Sequence, residues 1–491
     1  MERMKLKKLI QGLEFTDIKG SKEIDITGIC SDSRRVSIGN LFIAKRGSDS
    51  DGHHFIPQAI DSGAIAVVTE HYNPFLGRII QLIHPRPHDL EALLADRFYN
   101  HPSGDLYVLG VTGTNGKTTT TYLVKHLFDA MQRPCGLIGT VETIVGDKRS
   151  FSSLTTHDAV QNHKWLREMV NEGSLAVALE VSSHGLMQNR VDQIDFDAAL
   201  LTNLTPDHLD YHATMPKYAA AKQKLFERLH FSSKKKRCAI ANIDDPWAQQ
   251  MLDGCPTPRL FFGFSDKADV RAEQIDFSAS GTRFIVRTCD QSCPFSTTLI
   301  GRFNVYNVLG AICVGLHAGF SLPDIAQVLV SFQTVPGRLE RVVNDRSIHV
   351  FVDYAHTADA LDNVLTTLRE IARGKIITVF GAGGNRDPGR RQGLAQAAQK
   401  GSDISIITSD NPRQEDPQEI ARQTLLGFSD PKNVHVELDR KKAIEWAISM
   451  ARPQDIVLIA GKGHERVQIF ASHSVPFDDR LAARVALAKG S

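Results

Sequence analysis

The sequence has no long apolar run, few cysteines and almost no net charge, and each of these absences excludes a class of protein. The basic residues 1–10 are not followed by an apolar stretch that could form a signal core or cross a bilayer. The seven cysteines are scattered, and the nearest pair, Cys289 and Cys293, has no matching pair or histidine motif nearby. We therefore expect a protein of a reducing compartment, the cytoplasm.

A formal net charge of +1 gives no overall reason to expect nucleic acid or an anionic membrane as a partner. The basic run at residues 234–237 is read as a solvated loop before an apolar strand rather than as a nucleic-acid patch. With 491 residues, of which 42% are hydrophobic and 23% charged, the chain is globular in composition. A chain of this length predicts roughly two to four domains.

Strand and helix patterns divide the chain into three α/β parts. Residues 1–103 contain short strands at 41–44 and 64–68 with a helical pattern at 55–62, and they end in the turn-rich NHPSG at 100–104. Residues 104–334 contain all-apolar strands, which indicate a mainly parallel sheet covered on both faces. Residues 335–491 follow the turn TVPG and alternate strands with helical spacing, which predicts a second doubly wound domain, Rossmann-like.

A glycine-rich loop lies between the apolar strand at 106–111 and the helical pattern at 119–131. In this context backbone N–H groups and a helix N-terminus hold a polyphosphate, Lys117 reaches the outer phosphates, and the Thr118 hydroxyl binds Mg²⁺. Val111 replaces the first glycine of the strict pattern, so the loop is a variant, and a plain glycine turn is the alternative. The predicted ATP-binding residues are Gly113, Thr114, Asn115, Gly116, Lys117, Thr118 and Thr119.

Glu180 ends an apolar strand and His208 follows the next one, so both are expected at the carboxyl edge of the sheet beside the phosphate loop. A carboxylate and an imidazole there suit Mg²⁺ ions that bridge ATP to an acceptor carboxylate. Taken singly, Glu180 could be a strand-end carboxylate facing solvent, and His208 a structural histidine. Together with the phosphate loop they favour a catalytic site.

The segment VTGTNGKTTT at 111–120 resembles the nucleotide signature of the Mur ligases and of the related folylpolyglutamate synthases. Further segments, in the same order along nearly the whole chain, resemble the Mur ligases that add the third residue of a nucleotide-linked cell-wall peptide. They are EVSSHGL at 180–186, DHLDYH at 207–212, NVYN at 304–307, DYAH at 353–356, DNPR at 410–413 and GKGHE at 461–465.

The resemblance implies three domains and an ADP-forming amide ligase. The γ-phosphate of ATP would pass to the D-glutamate carboxylate of UDP-MurNAc-L-Ala-D-Glu, and the amine of meso-diaminopimelate would then attack the acyl phosphate. Two Mg²⁺ ions and a monomer are expected. The resemblance also implies that Lys222 is carbamylated by CO₂ and joins Thr118, Glu180 and His208 as a metal ligand, although an ordinary surface lysine is the alternative from the residues alone.

The same resemblance assigns the remaining site residues. Arg190 is the expected carboxylate clamp and Arg413 the residue that selects diaminopimelate over lysine through its distal carboxylate. Asn304, Arg338, Asp353 and His356 are assigned to ATP. The UDP-linked precursor is assigned to Ser31, Ser33, Ser48, Asp49, Ser50, Thr155, Thr156, Ser182, Gln188 and Arg190, and diaminopimelate to Arg386, Asp410, Asn411, Pro412, Arg413, Gly461 and Glu465.

The chain departs from the family pattern at Leu154, His157, Ala358 and Asn385, and none of these removes a charge from the reaction centre. Three rival functions remain: a lysine-adding version of the enzyme, a ligase of folate tails, and a P-loop ATP-binding module without ligation. The arginine of DNPR argues against the first, and the UDP-type loops argue against the second. Dependence of ATP hydrolysis on an amino acid would separate a ligase from the third.

Overall fold

The computed structural model describes residues 3–47, 51–152 and 154–489. These residues form two compact units, one of residues 1–269 with 310–319 and the other of residues 270–309 with 320–491. Both units are α/β. Among the described helices none is long and apolar enough to cross a bilayer. The domain boundaries after residues 103 and 334 stay predictions.

The first unit begins with a small sheet that is parallel except at one edge. Its order is Asp17–Lys19, Ile80–Ile83, Ala66–Thr69, Asn40–Ile43 and Gly28–Cys30, and the first strand is antiparallel to its neighbour. Leu90, Leu94 and Phe98 of helix Pro87–Phe98 pack on this sheet, at the i, i+4, i+8 spacing of one helix face. The smaller elements are Met4–Lys5, Leu6–Leu9, Asp25–Ile26, Ser33–Arg35, Gly52–Phe55, Ile56–Asp61, Pro74–Leu76 and Pro102–Asp105.

The larger sheet of this unit places the candidate site. Strand Tyr107–Thr112 lies between Ala176–Glu180 and Ala198–Leu201 and is parallel to both, so the three strands end at one edge. Apart from half-buried Tyr107, their residues are buried because helices cover both faces. The other strands are Lys148–Phe151, Glu142–Val145, Cys135–Ile138, Cys238–Asn242 and Arg259–Gly263, and the helices are Lys117–Ala130, Ala159–Asn171, Ser183–Met187, Leu209–His212, Met215–Phe231 and Ala248–Leu252.

The second unit contains a six-stranded sheet in the order Glu340–Val342, His349–Asp353, Ile456–Ala460, Ile376–Phe380, Ile404–Ile407 and Val434–Val436. All neighbours are parallel except the first pair. Alternate residues of one strand belong to different apolar clusters. Phe351 clusters with residues of helices Ala358–Ile371, Gly389–Gly401 and Pro417–Leu425, whereas Val350 clusters with residues of helices Arg440–Met450 and Asp479–Lys489. Helices on both faces make this the predicted doubly wound domain. The remaining elements of this unit are Val270–Ser278, Gly281–Arg287, Ser292–Thr297, Leu322–Leu329, Val467–Ile469 and Ser474–Pro476, and helix Arg302–His317 contributes residues to both units.

Candidate active site

The glycine-rich loop joins strand Tyr107–Thr112 to helix Lys117–Ala130, which is the predicted arrangement. Gly113 has φ +143°, and a Cβ there would lie 1.9 Å from Thr202 Oγ1. Gly116 has φ +85° and directly precedes the helix. Both positions therefore require glycine, because a side chain at either would be strained by the positive φ.

The loop is fastened to the end of the neighbouring strand. Thr114 N donates to Asn203 O at 2.9 Å, and Asn115 N donates to Asn203 Oδ1 at 3.0 Å. Thr114 Oγ1 donates to Thr205 O at 3.0 Å. Thr119 is buried in the first turn of the helix. The loop conformation is thus set by contacts across the sheet edge as well as by its glycines.

Two lysines meet at the carbonyl oxygen of Gly113. Lys117 Nζ donates to it at 2.9 Å and to Thr114 O at 2.8 Å, and Lys222 Nζ donates to it at 2.8 Å. Lys222 lies on helix Met215–Phe231 and is 1% exposed. Burial, with the charge of Lys117, holds the pKa of Lys222 well below its ordinary value. The surface-lysine alternative is therefore wrong for Lys222.

Glu180 is fully buried at the end of its strand, so the solvent-facing alternative is wrong as well. Its carboxylate accepts hydrogen bonds from Thr118 Oγ1 at 3.1 Å and from Thr140 Oγ1 and Thr140 N, both at 2.9 Å. Thr140 was not predicted. It follows the strand Cys135–Ile138, which neighbours that of Glu180 in the sheet, so strand order would have placed it at the same edge.

A hard cation such as Mg²⁺ prefers oxygen ligands and keeps several from water and phosphate. The buried oxygens of Thr118 and Glu180 beside the phosphate loop fit such an ion. In the described ranges no three or more His, Cys, Asp and Glu side chains form a metal-binding group.

His208 precedes helix Leu209–His212 with φ +52°, and about half of its side chain is exposed. Its ring centroid lies 4.9 Å from that of His184. Burial lowers the pKa of His208, and the charges of Lys117 and Lys222 lower it further despite Asp207. The neutral form of the imidazole, which has a lone pair for a metal ion, is therefore favoured.

Five of the residues assigned to the UDP-linked precursor are expected at its sugar–peptide end and lie near Glu180: Thr155, Thr156, Ser182, Gln188 and Arg190. Thr156 Oγ1 donates to Glu180 O at 2.9 Å and accepts from Ser182 N at 2.9 Å. Arg190 donates through Nη1 to Thr156 O at 2.7 Å and through Nη2 to Gln188 Oε1 at 2.6 Å. The structure thus brings four of the five predicted residues into one chain of hydrogen bonds.

Thr155 and the two nearby departures complete this region. Thr155 Oγ1 lies 3.0 Å from Thr140 Oγ1, and since the Thr140 hydroxyl donates to Glu180, Thr155 is the donor of this pair. His157 is buried with its ring edge-on to Trp165 at 4.5 Å, and burial lowers the pKa of His157 to about 4. Leu154 is 45% exposed. His157, one of the departures from the family pattern, therefore packs as a neutral ring.

The first-domain loops are only partly described. Ser33 Oγ donates to Gln58 Oε1 at 2.8 Å and is buried, and Ser31 is half-buried. Ser48, Asp49 and Ser50 lie outside the described residues. An ion pair that the sequence did not indicate, Arg35 Nη1 to Asp158 Oδ2 at 3.6 Å, joins this part of the unit to the helix that carries Asp158 as its N-cap.

In the second unit, the predicted amino-acid residues follow adjacent parallel strands. Gly461 has φ +112°, and a Cβ there would lie 2.7 Å from Asp410 Oδ2, so glycine allows these two loops to touch. Asn411 Nδ2 donates to Glu465 Oε2 at 2.9 Å. Burial raises the pKa of Asp410. Residues from the ends of separate strands are therefore brought together, as predicted.

Arg413 lies at the outer side of this group with φ +53°. Its backbone N donates to Ile469 O at 3.0 Å, and its Nη1 donates to Gly384 O at 2.7 Å. Gly384 approaches the next loop so closely that a Cβ would lie 1.9 Å from Pro412 O. Arg386 is exposed in the same loop. The guanidinium of Arg413 is thus held at the loop that carries Arg386.

Asn385 and Ala358 are the departures in the second unit. Asn385 has φ +54°, a conformation that asparagine tolerates well, and its Oδ1 accepts from Gln414 N at 3.0 Å. Ala358 is the first residue of helix Ala358–Ile371, which Thr357 caps. Neither substitution disturbs the loops around Asp410.

Three of the four residues of this unit that were assigned to ATP surround Tyr354. The Arg338 guanidinium lies 4.8 Å from the Tyr354 ring centroid, and His356 Nδ1 lies 2.9 Å from Tyr354 O. Asp353 accepts from Leu339 N at 2.6 Å, and burial raises the pKa of Asp353. Asn304 is buried and donates to Ile300 O at 2.9 Å.

Comparison with known proteins accounts for most of the chain. The Mur ligase middle domain matches residues 111–315, the Mur ligase, glutamate ligase domain matches residues 337–463, and the Mur ligase family, catalytic domain matches residues 25–98. The UDP-N-acetylmuramoyl-L-alanyl-D-glutamate--2,6-diaminopimelate ligase of Chlamydia pneumoniae is 43% identical over 481 residues, covering 97% of this chain and 98% of the relative. Its namesake from Geobacillus thermodenitrificans strain NG80-2 is 41% identical and covers 99% of both chains.

A solved structure of a UDP-N-acetylmuramoyl-L-alanyl-D-glutamate--2,6-diaminopimelate ligase is similar at a TM-score of 0.72 and 32% identity, covering 99% of each chain. The resemblance and the three-domain α/β fold expected from the motifs are confirmed. The chain belongs to the Mur ligase family, whose members are ATP-dependent, ADP-forming ligases.

Proposed function

We propose that the chain joins meso-2,6-diaminopimelate to UDP-N-acetylmuramoyl-L-alanyl-D-glutamate, with cleavage of ATP to ADP and phosphate, in the synthesis of peptidoglycan precursors. The observation that carries this proposal is the cluster at the sheet edge. A phosphate loop, a buried carboxylate and a buried lysine of lowered pKa meet there, next to the polar chain from Thr156 to Arg190. The identities to the named relatives support the choice of substrates.

A free carboxylate is a poor acylating agent, so the D-glutamate carboxylate is first activated. Its oxygen attacks the γ-phosphorus of ATP, the bond to the β-phosphate breaks, and ADP leaves. The amine of diaminopimelate then attacks the acyl carbon, phosphate leaves, and the amine loses a proton. Lys117 and the loop amides neutralise the charge on the transferring phosphoryl group, and the pocket aligns the reactants.

The oxygens of Thr118 and Glu180 and the imidazole of His208 would hold Mg²⁺, which would further neutralise the charge on phosphate oxygens when bound. Lys222 would extend this set as a carbamate. A neutral amine is the form that reacts with CO₂, and burial beside Lys117 favours that form. The product would carry a negative charge, which relieves the repulsion between the two lysines.

The precursor is proposed to bind along Thr155, Thr156, Ser182, Gln188 and Arg190, with its uridine end at the first-domain loops. Arg190 is the proposed carboxylate clamp. Its fork contacts only a backbone carbonyl and an amide in the described residues, so a ligand carboxylate can offer it a charged partner. Asn304, Arg338, Asp353 and His356 are proposed contacts of ATP.

Diaminopimelate is proposed to bind at Arg386, Asp410–Arg413, Gly461 and Glu465. Lysine lacks the distal carboxylate and would leave the Arg413 charge without its ligand partner, a penalty of about 2–5 kcal/mol. Diaminopimelate is therefore favoured over lysine. A cytoplasmic monomer remains our proposal for the protein as a whole.

Phosphate release measured with ATP, the UDP-dipeptide and a panel of amino acids tests the proposal. We expect phosphate release only when both cosubstrates are present, and at a much higher rate with diaminopimelate than with lysine. Release without an amino acid would indicate a non-ligating ATPase, and a preference for lysine would indicate the lysine-adding reaction.

A further inference from the structure

A fully buried lysine stands behind the proposed amino-acid site. Lys462 follows the strand Ile456–Ala460 and is 0% exposed. Its Nζ donates to Asn411 Oδ1 at 3.0 Å and to Glu465 Oε2 at 2.8 Å. Asn411 Nδ2 donates to the same Glu465 oxygen at 2.9 Å, which closes a triangle of three side chains.

The hydrogen bonds of the triangle fix the orientations of Asn411 and Glu465. Asn411 Oδ1 also accepts from Ile469 N at 3.0 Å, so rotation of the amide by half a turn would place donors against donors on two sides. An ammonium buried this completely requires a paired carboxylate, and Glu465 is the carboxylate it contacts. One buried charge therefore orients an amide and a carboxylate that are both assigned to the ligand.

Glu465 differs from Lys462 in exposure, because 29% of its side chain is exposed while that of Lys462 is 0% exposed. Both described hydrogen bonds to this carboxylate end on Oε2, so Oε1 is the oxygen that can accept from a ligand ammonium. Lys462 is out of a ligand's reach and Glu465 is within it. Any effect of Lys462 on binding must therefore act through its neighbours.

The charges around Glu465 favour its ionised form. Burial raises the pKa of Glu465, but the charge and hydrogen bond of Lys462, with that of Asn411, outweigh burial and leave it lowered. The other titratable groups that face it are His464 on its own loop and, on neighbouring elements, Tyr354, Asp410 and Arg440. Arg440 is already paired with buried Asp479 at 2.7 Å.

We propose that Lys462 is a positioning residue for the incoming diamino acid: its buried ammonium holds the Glu465 carboxylate where that carboxylate receives the ligand's distal ammonium. This inference rests on the proposed assignment of Glu465 to the amino-acid site. Lys462 does not contact the ligand itself. Its buried charge nevertheless contributes to the specificity of the site for a second amino group, because it positions Glu465.

The test compares Lys462→Met, Glu465→Gln and the double variant with the wild-type enzyme. The apparent Michaelis constants are measured for diaminopimelate, ATP and the UDP-dipeptide, and kcat/KM for diaminopimelate is measured against pH. For Lys462→Met we expect the diaminopimelate constant to rise at least about tenfold while the other two change by less than about twofold. The acidic limb of the pH profile should move to higher pH, because Glu465 is then protonated more easily.

The double variant separates positioning from a general loss of structure. If Lys462 acts through Glu465, adding Lys462→Met to Glu465→Gln should change the diaminopimelate constant by less than about twofold, because the effects of coupled residues are not additive. A further large rise would overturn the proposal, and this comparison holds even if Lys462→Met alone fails to fold. An unchanged pH profile in a folded Lys462→Met would also overturn it.

The result for Glu465→Gln separates the assignment of Glu465 to the amino-acid site from the positioning role of Lys462. An unchanged diaminopimelate constant in that variant would remove Glu465 from the amino-acid site and with it the proposed assignment. A raised constant in Glu465→Gln beside an unchanged one in Lys462→Met would leave the assignment intact and refute only the role of Lys462.

Discussion

Lys117 and Lys222 donate to one atom, the carbonyl oxygen of Gly113, at 2.9 and 2.8 Å. Lys117 reaches it from the first turn of the phosphate-loop helix, and Lys222 from the buried face of helix Met215–Phe231. Two ammonium groups at one acceptor repel each other, and only Lys222 is fully buried. Burial and the charge of Lys117 therefore favour the neutral state of Lys222.

Lys222→Ala should lose ligation almost completely, by about a hundredfold or more, because the proposed carbamate ligand is removed. Short carboxylic acids should restore part of the activity, since a small carboxylate can occupy the vacated space. Depletion of CO₂ should lower the activity of the wild-type enzyme. The measurement is ligation rate with and without added acid and CO₂.

Lys217→Ala is the matched control for this experiment, since Lys217 lies on the same helix but is exposed. It should have wild-type activity and no response to carboxylic acids. Activity in Lys222→Ala near that of Lys217→Ala would show that Lys222 carries no metal ligand.

Lys117→Ala should abolish ligation, with a loss of about a thousandfold, because the loop cation nearest the proposed phosphates is removed. Unlike Lys222→Ala, it should not respond to carboxylic acids. ATP binding and single-turnover phosphate release check this result. Lys235→Ala, at an exposed position, serves as the control, and turnover of Lys117→Ala at the control rate would contradict the assignment of ATP to this loop.

Arg413→Ala should raise the apparent Michaelis constant for diaminopimelate by roughly a hundredfold, the effect of truncating one partner of a desolvated charge pair worth about 2–5 kcal/mol. The constants for ATP and the UDP-dipeptide should change little. The kcat/KM for lysine should rise relative to that for diaminopimelate, because the variant no longer penalises a missing carboxylate.

The ratio of kcat/KM for diaminopimelate and lysine is the measurement that decides the role of Arg413. Arg422→Ala is a suitable control, since Arg422 is an exposed residue on the nearby helix Pro417–Leu425 and pairs with Glu419. An Arg413→Ala enzyme with the wild-type ratio would mean that another residue selects the substrate.

Acid should destabilise the first unit partly through His157. Burial lowers the pKa of His157 from 6.5 to about 4, so the unfolded chain takes up this proton first. The stabilising contribution is complete above pH 6.5 and is lost as the pH falls toward 4. His157→Phe keeps a ring against Trp165 and cannot titrate, so it should lose about 1–2 kcal/mol less stability over this interval.

Thermal unfolding midpoints measured between pH 7 and about 4 check this prediction, with His54→Phe as the control at an exposed position. The variant curve should fall less steeply than the wild-type curve, while the control curve should follow the wild type. Parallel curves for His157→Phe and the wild-type protein would show that this histidine is not held neutral.

The sequence by itself determined the elements and the order of the functional segments. Apolar runs and glycine signals are local, so strand Tyr107–Thr112, the loop from Gly113 and helix Lys117–Ala130 could be predicted from neighbouring residues. Parallel strands end at one edge of a sheet, and this rule predicts that Glu180 lies beside the loop.

Burial and partnership were decided only by the tertiary structure. Nothing local distinguishes Lys222 or Lys462 from a surface lysine. The groups that accept their hydrogen bonds are a carbonyl oxygen of a distant segment for Lys222 and a carboxylate across a loop turn for Lys462. Thr140 likewise becomes a partner of Glu180 only through the order of the strands. The energy of a buried charge depends on the solvent it loses and the partners it gains, and both are set by the packed fold rather than by sequence neighbours.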